Sequence, residues 1–304
     1  MLDLDTFLTE LYVMVDDFCK SNLPAETQRG PAASLSRSEV VTLAMLGQWH
    51  LFGSERGFFR YAQHHLRAAF PTLPDRSQFN RLMRFHEQAL VRVALSLADR
   101  TADYQALDTT AALTRDRRRR GRGWLPGQAA IGYSSREGWF CGFRVLTACT
   151  PDGSITGFCF APGSTKDQPL AEDFFAVRHA ADPGCPSVGP QTHSPYLADK
   201  GFAGRARHAH WRAHSGADLI CPPLSNHAGA WPACWHHWLA HLRQIIESVH
   251  DKLLHTFGLS RERPHHLRGF ATRLAAKVGL HNFCIWLNRR LGCKPLAFAE
   301  LVAW

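Results

Sequence analysis

The run Gly142-Phe-Arg-Val-Leu-Thr-Ala-Cys-Thr150, then Pro151-Asp-Gly-Ser154, then Ile155-Thr-Gly-Phe-Cys-Phe160 decides the fold class. Its flanks are rich in β-branched and aromatic residues, and the four residues between them form a turn cluster, so the segment predicts a β-hairpin. Helical patterns lie on both sides of it, which makes the chain a mixed α/β protein. Downstream, Asp167 with Pro169 two residues on predicts a helix start leading into Leu170–His179, with the aspartate as its cap. Upstream, Tyr104–Leu107 is a short apolar strand that ends at Asp108, and Arg115–Arg122 is a basic, glycine-flanked loop. After a Gly/Pro-rich connector, Asp182–Pro195, a second short apolar segment ends in an acid at Asp199. Gly204–His214 predicts a helix, Ala217–Cys221 a strand, Trp235–Phe257 a long helix carrying Glu247, and Pro264–Leu291 a last apolar-basic helix.

The first hundred residues read as helical. Leu4, Phe7, Leu8, Leu11, Tyr12 and Val15 follow a 3.6-residue period. Capping residues at Ser34–Glu39 precede an apolar-periodic stretch over Val40–Leu51. Further helices are predicted from about Arg56 to Ala68 and, capped by Ser77, over Gln78–Leu90. The last of these displays Arg76, Gln78, Asn80, Arg81 and Arg84, a set suited to phosphates and base edges and equally to a solvated helix face.

Of the 304 residues, 45% are hydrophobic and 20% charged, a composition that excludes general disorder. No apolar run reaches the roughly 18 residues of a membrane span. The stretch Met1–Glu10 has three acids and no basic n-region, so the expectation is a cytoplasmic chain without a secretory signal. Nine cysteines without a C-x-x-C pair exclude a zinc ribbon and read as small apolar fillers. Charge is uneven: residues 1–100 hold 11 basic and 11 acidic residues, so the net +9 lies in residues 101–304. A basic excess favours a polyanionic partner through counterion release, and it also suits a merely soluble basic surface.

The acids beyond apolar strands carry the chemistry. In open α/β sheets, sites form past the carboxyl ends of strands, where Asp108 and Asp199 fall. Glu247 sits mid-helix among apolar neighbours, where a carboxylate is costly unless paired or metal-bound. Three such carboxylates can hold two Mg²⁺ ions, which serve an in-line phosphodiester displacement. Other acids read more simply: Asp251 as a solvated helix residue, and Asp103, Asp116 and Asp152 in loops. The His208–Ala209–His210 pattern matches that of tyrosine-dependent single-strand nucleases, but two residues apart on a helix it points both ways. His237 and His241, four apart, could bind zinc with Cys221 or Cys234. No phosphate-cradling G-x-x-x-x-G-K-S/T loop, G-x-S-x-G elbow or H-E-x-x-H pair is present.

Three blocks, Leu107-Asp108-Thr109-Thr110, Leu197-Ala198-Asp199-Lys200-Gly201-Phe202 and Arg243-Gln244-Ile245-Ile246-Glu247-Ser248, resemble the signature blocks of DDE transposases of bacterial insertion sequences. The second resembles that family's Asp-(Lys/Arg)-Gly-(Tyr/Phe) segment and the third the core of its Tyr-Arg-Glu-Lys signature. The spacing also suits it, with 90 residues between the aspartates and 47 between Asp199 and Glu247. The resemblance covers about 105 to 290. The signature's tyrosine falls at Ala240 and its lysine at Leu254, with Lys252 two residues early. The last strand and the glutamate helix lie too close in sequence for the large inserted domain of some relatives.

The resemblance implies a ribonuclease-H-like mixed sheet with flanking helices over 101–304, preceded by a small all-helical domain over 1–100 that could bind DNA. It implies Asp108, Asp199 and Glu247 as catalytic metal ligands, with Asp108 bridging two Mg²⁺ ions (or Mn²⁺) and the others each holding one. DNA contacts are then expected from Arg243, Lys200, Lys252, the run Arg117, Arg118, Arg119 and Arg120, and Arg81 and Arg84. The implied partners are double-stranded DNA, as element ends and as target, and a second copy on that DNA, in the bacterial nucleoid. A DNA-binding derivative without catalysis, or a metal-dependent nuclease without strand transfer, are the alternative readings.

Overall fold

The computed structural model describes residues 1–26, 33–98, 101–115, 125–180, 186–223 and 231–304. In chain order its elements are β1 (Leu2–Asp3), α1 (Leu4–Asn22), α2 (Arg37–Leu46), α3 (Glu55–His65), α4 (Arg76–Phe85), α5 (Glu87–Ser96), β2 (Gln105–Arg115), β3 (Ala130–Ser134), β4 (Gly138–Cys149), β5 (Ile155–Pro162) and α6 (Asp167–Arg178). They continue with β6 (Tyr196–Leu197), α7 (Arg205–Ser215), β7 (Leu219–Ile220), α8 (Ala233–Asp251), α9 (Leu267–Arg290) and β8 (Val302–Ala303). The chain divides into two compact units, Met1–Leu97 with His255–Gly258 and His266–Trp304, and Ala98–Leu254 with Leu259–His265.

The first unit joins α1–α5 to α9. Helix starts are fixed by side chains: Asp3 accepts from the Thr6 N–H at 2.7 Å, and Ser36 and Glu39 form a reciprocal capping box. The helix expected over Gln78–Leu90 is two helices that break at His86, and Asp75 rather than Ser77 caps the first of them. The expected span 101–304 is also divided, because α9 packs on α2 and α5. Nearly every α9 side chain from Phe270 to Asn288 is buried. Its Asn282 donates to the Ala94 carbonyl at 2.8 Å, and Lys277 donates to Gln48 at 2.9 Å and to the Phe257 carbonyl at 2.6 Å. A buried amide and ammonium need such partners, and the helical unit supplies them. Strands β1 and β8 pair in parallel, Leu2 with Val302.

The second unit is a six-stranded mixed sheet flanked by helices. Its path runs β3-β4-β2-β6-β7, with β5 also on β4. The hairpin expected at 142–160 is present as β4 and β5, paired Val145 to Phe160 around the turn at Pro151–Ser154. β3 and β5 share one edge of β4 end to end, since Gly142 pairs with Ala130 and Phe143 with Pro162. Gly142 is required there: a Cβ would stand 2.1 Å from the Ala112 carbonyl oxygen. β2 does not end at Asp108 but continues to Arg115, because its antiparallel pairing with β4 runs on from Ala106 to Arg115, whereas the parallel pairing with β6 involves only Gln105 and Ala106.

The sheet has two distinct faces. Leu107, Leu146 and Ala148 join Phe174, Phe175, Tyr196, Phe202 and Trp211 in one core beneath α6 and α7. The alternate residues, Asp108 and its direct partner Thr147, face the other way, toward α8. There the buried His250 ring shares a 2.8 Å hydrogen bond with the Thr147 hydroxyl, anchoring the helix to the sheet.

Candidate active site

Parallel register brings two acids level. Ala106 of β2 pairs with Leu197 of β6, and Asp108 and Asp199 each follow by two residues, so both carboxylates leave the same face. Asp199 is the first turn of the next element: its Oδ1 accepts the Gly201 N–H at 2.8 Å and caps a 3₁₀ turn over Lys200–Phe202. The buried Phe202 ring pins that turn into the core. Gly201 permits a crowd of acids, because a Cβ there would lie 2.9 Å from Asp199 Oδ1 and 3.5 Å from Asp167 Oδ2.

Asp108 is the most perturbed carboxyl of the sheet. Its Oδ1 accepts the Thr109 N–H at 2.7 Å and its Oδ2 lies 3.5 Å from Arg243 Nη2. Burial pushes its pKa up to about 7; Arg243 opposes the rise, and the charges of Asp199 and Asp167 add to it. A carboxyl pushed up by burial and by nearby like charge is a functional-site signature. Cys221, past the end of β7, belongs to the same field: burial and then the Asp199 charge push its thiol up to about 11.

Arg243 and Glu247 lie one turn apart on α8, on one side of the helix. Arg243 reaches Asp108; the Glu247 side chain is exposed. Among the described residues no three His, Cys, Asp or Glu side chains are gathered at metal-holding distance. Two of the three expected acids are thus brought together, and the third stands on the adjoining helix. The donor chemistry nevertheless fits a divalent cation: the expected donors are all carboxylate oxygens, with a single guanidinium, that of Arg243, at Asp108.

The expected DNA contacts are distributed. Lys200 is exposed beside Asp199, and Lys252 is half-buried in a π-turn over Lys252–Thr256 that extends α8. Leu254, at the place of the signature lysine, is buried and apolar. Arg117, Arg118, Arg119 and Arg120 lie outside the described residues. In the first unit, Arg81 is exposed and Arg84 half-buried on α4. Asp251, expected to be solvated, pairs with Arg136 at 3.2 Å. His208 and His210 diverge as expected, His208 toward the Phe202 carbonyl at 2.9 Å and His210 toward Glu172 at 3.7 Å.

Sequence reasoning missed one group. Asp167 does not cap α6; it is the helix's first residue, and Lys166 precedes it without a side-chain cap bond. Its Oδ1 instead accepts the Thr109 hydroxyl at 2.6 Å and Arg144 Nη1 at 2.8 Å. The available signal was Arg144 itself, a lone cation inside the apolar strand Phe143-Arg144-Val145-Leu146.

The family model described as the transposase DDE domain matches residues 99–283. Neither curated proteins nor solved structures gave a match.

Proposed function

Because the chain belongs to the transposase DDE domain family, we propose that it cuts double-stranded DNA at the ends of an insertion sequence and joins the freed 3′-hydroxyl to target DNA. The observation that supports this most is the acid pair Asp108 and Asp199, level on one sheet face beneath Arg243. Asp108, Asp199 and Glu247 would hold two Mg²⁺ or Mn²⁺ ions, which when bound supply Lewis-acid activation of the attacking oxygen and stabilise the leaving one. The protein's own residues do the rest. The register of β2 and β6 sets the spacing of the acids, and the Thr109 N–H orients the Asp108 carboxylate. Arg243, which stands beside Asp108, would donate to a phosphate oxygen of the strand being cut. Exposed Lys200 holds the adjoining phosphate as a point charge.

DNA outside the scissile position is gripped by the basic residues of the catalytic unit, with Arg81 and Arg84 of α4 reading the element end. Two ends cut together require two copies of this chain, so the working form is a homodimer on DNA in the bacterial cytoplasm.

Cleavage of a labelled duplex carrying the flanking ends, with Mg²⁺ or EDTA, tests the reading. Cutting at a discrete position that needs both Mg²⁺ and Glu247, followed by joining to a second duplex, is the expected result. Cutting without joining would reduce the function to that of a nuclease, and binding without cutting to that of a DNA-binding derivative.

A further inference from the structure

Resting on the reading of Asp108 and Asp199 as the metal-holding pair, we infer that Asp167 is a positioning residue for that pair, acting through Thr109 and Arg144. Thr109 is held from both ends. Its backbone N–H donates to Asp108 Oδ1 at 2.7 Å, while its hydroxyl donates to Asp167 Oδ1 at 2.6 Å. The two carboxylates are therefore joined through a single residue, although they sit on different elements and opposite sides of β2. Arg144 locks the other partner of this link: its Nη1 donates to the same Asp167 oxygen at 2.8 Å and lies 3.3 Å from the Thr109 hydroxyl, and its Nη2 donates to the Tyr133 carbonyl at 2.8 Å. One oxygen of Asp167 thus ties the start of α6 to β2 and β4, and Arg144 carries the link on to β3.

The other oxygen lies toward the Asp199 turn. A Cβ on Gly201 would stand 2.9 Å from Asp199 Oδ1 and 3.5 Å from Asp167 Oδ2, so both acids border this glycine. Asp167 accordingly holds Asp108 by the hydrogen-bond relay through Thr109, and it borders the same glycine as Asp199. A simple helix cap explains none of this, because Asp167 makes no capping bond. Outer partners of ligating carboxylates govern how well the ligands are presented, and their loss typically costs about 10–100-fold in metal affinity or rate.

The test compares wild type, Asp167→Ala, Asp167→Asn and Thr109→Val in two measurements: Mn²⁺ affinity of the DNA-free protein, and Mg²⁺-dependent cleavage of the end duplex. Asp167→Ala is expected to weaken Mn²⁺ binding and slow cleavage by about 10-fold or more. Thr109→Val, which removes only the relay hydroxyl, moves both in the same direction. Asp167→Asn keeps an oxygen for Thr109 and Arg144 and is expected to restore most of both. Wild-type Mn²⁺ affinity in Asp167→Ala overturns the inference, and so does an Asn variant as impaired as Ala. A lower melting temperature with unchanged Mn²⁺ affinity likewise reduces Asp167 to a structural role. If wild type cuts no duplex, the proposed reaction fails, and the Mn²⁺ affinities still decide the role of Asp167.

Discussion

Arg243 of α8 reaches across to Asp108 of β2, Nη2 to Oδ2 at 3.5 Å, as a counter-charge to a buried acid whose pKa the charges of Asp199 and Asp167 also raise. An acid so placed is poised between holding a proton, holding an arginine and holding a cation. The consequences can be measured separately.

The most direct is loss of chemistry without loss of binding. Asp108→Asn, Asp199→Asn and Glu247→Gln are each expected to lower end cleavage by about a thousandfold or more, since each removes charge stabilisation at the reacting phosphate. Retention of duplex on a gel shift should be unchanged. Normal cutting by any of the three removes that residue from the site.

Stability of the metal-free protein should report Asp108 directly. Its folded pKa of about 7 lies above the ordinary 3.8, so the folded chain keeps a proton that the unfolded chain gives up near pH 4. The group's contribution is full below about pH 4 and is lost as pH rises through 7. Denaturant titrations of Asp108→Asn should lack this decline, and in Arg243→Ala it should extend to higher pH. An Arg243→Ala curve parallel to wild type would mean that the guanidinium is no counter-ion to Asp108.

His250 should show the opposite slope. Burial first, then Arg136 and Arg243, depress its pKa to about 3, whereas an unfolded histidine titrates near 6.5. The stability it confers is complete above pH 6.5 and is lost as pH falls toward 3. His250→Ala strands the Thr147 hydroxyl and opens a cavity, at a cost of about 2–4 kcal/mol at neutral pH. His250→Gln, which can still meet Thr147, should lose the acid-side slope and keep more of the stability; equal acid sensitivity in this variant would refute the assignment.

Gly201→Ala tests the crowding of the acids. The added Cβ would sit 2.9 Å from Asp199 Oδ1, so the carboxylate must shift. A displaced ligand is expected to reduce metal affinity and cleavage by about 10–100-fold with little change in melting temperature. Unchanged Mn²⁺ affinity would show that Asp199 can yield without consequence.

How much of this was legible depended on whether the signal was local. Asp199 could be read because a short apolar strand ends just before it and Gly201 follows at the required place. The strand that carries Asp108 is longer than its sequence suggests: Thr109 to Arg115 has no strand signal of its own and becomes strand through antiparallel pairing with β4. β3 was missed for the same reason, since Ala130–Ser134 has little apolar alternation and owes its form to the edge of β4. The apolar character of α9 announced burial but not its partner, which is why its place with α1–α5 was not foreseen. Asp167 fitted the statistics of a helix cap, and only the tertiary approach of Thr109 and Arg144 gives it another task.

The composition of the helical unit from both ends of the chain also orders events in time. Phe7 and its apolar neighbours on α1 leave the ribosome early, but α9, whose Phe283 packs edge-on against Phe7, follows some 170 residues after α5. At about 5–20 residues per second, those apolar faces wait on the order of ten to thirty seconds for their cover. The sheet between them is completed first. Synthesis therefore finishes the interior of the sequence before its beginning, and the nascent amino-terminal helices are the part of this chain with most need of a chaperone.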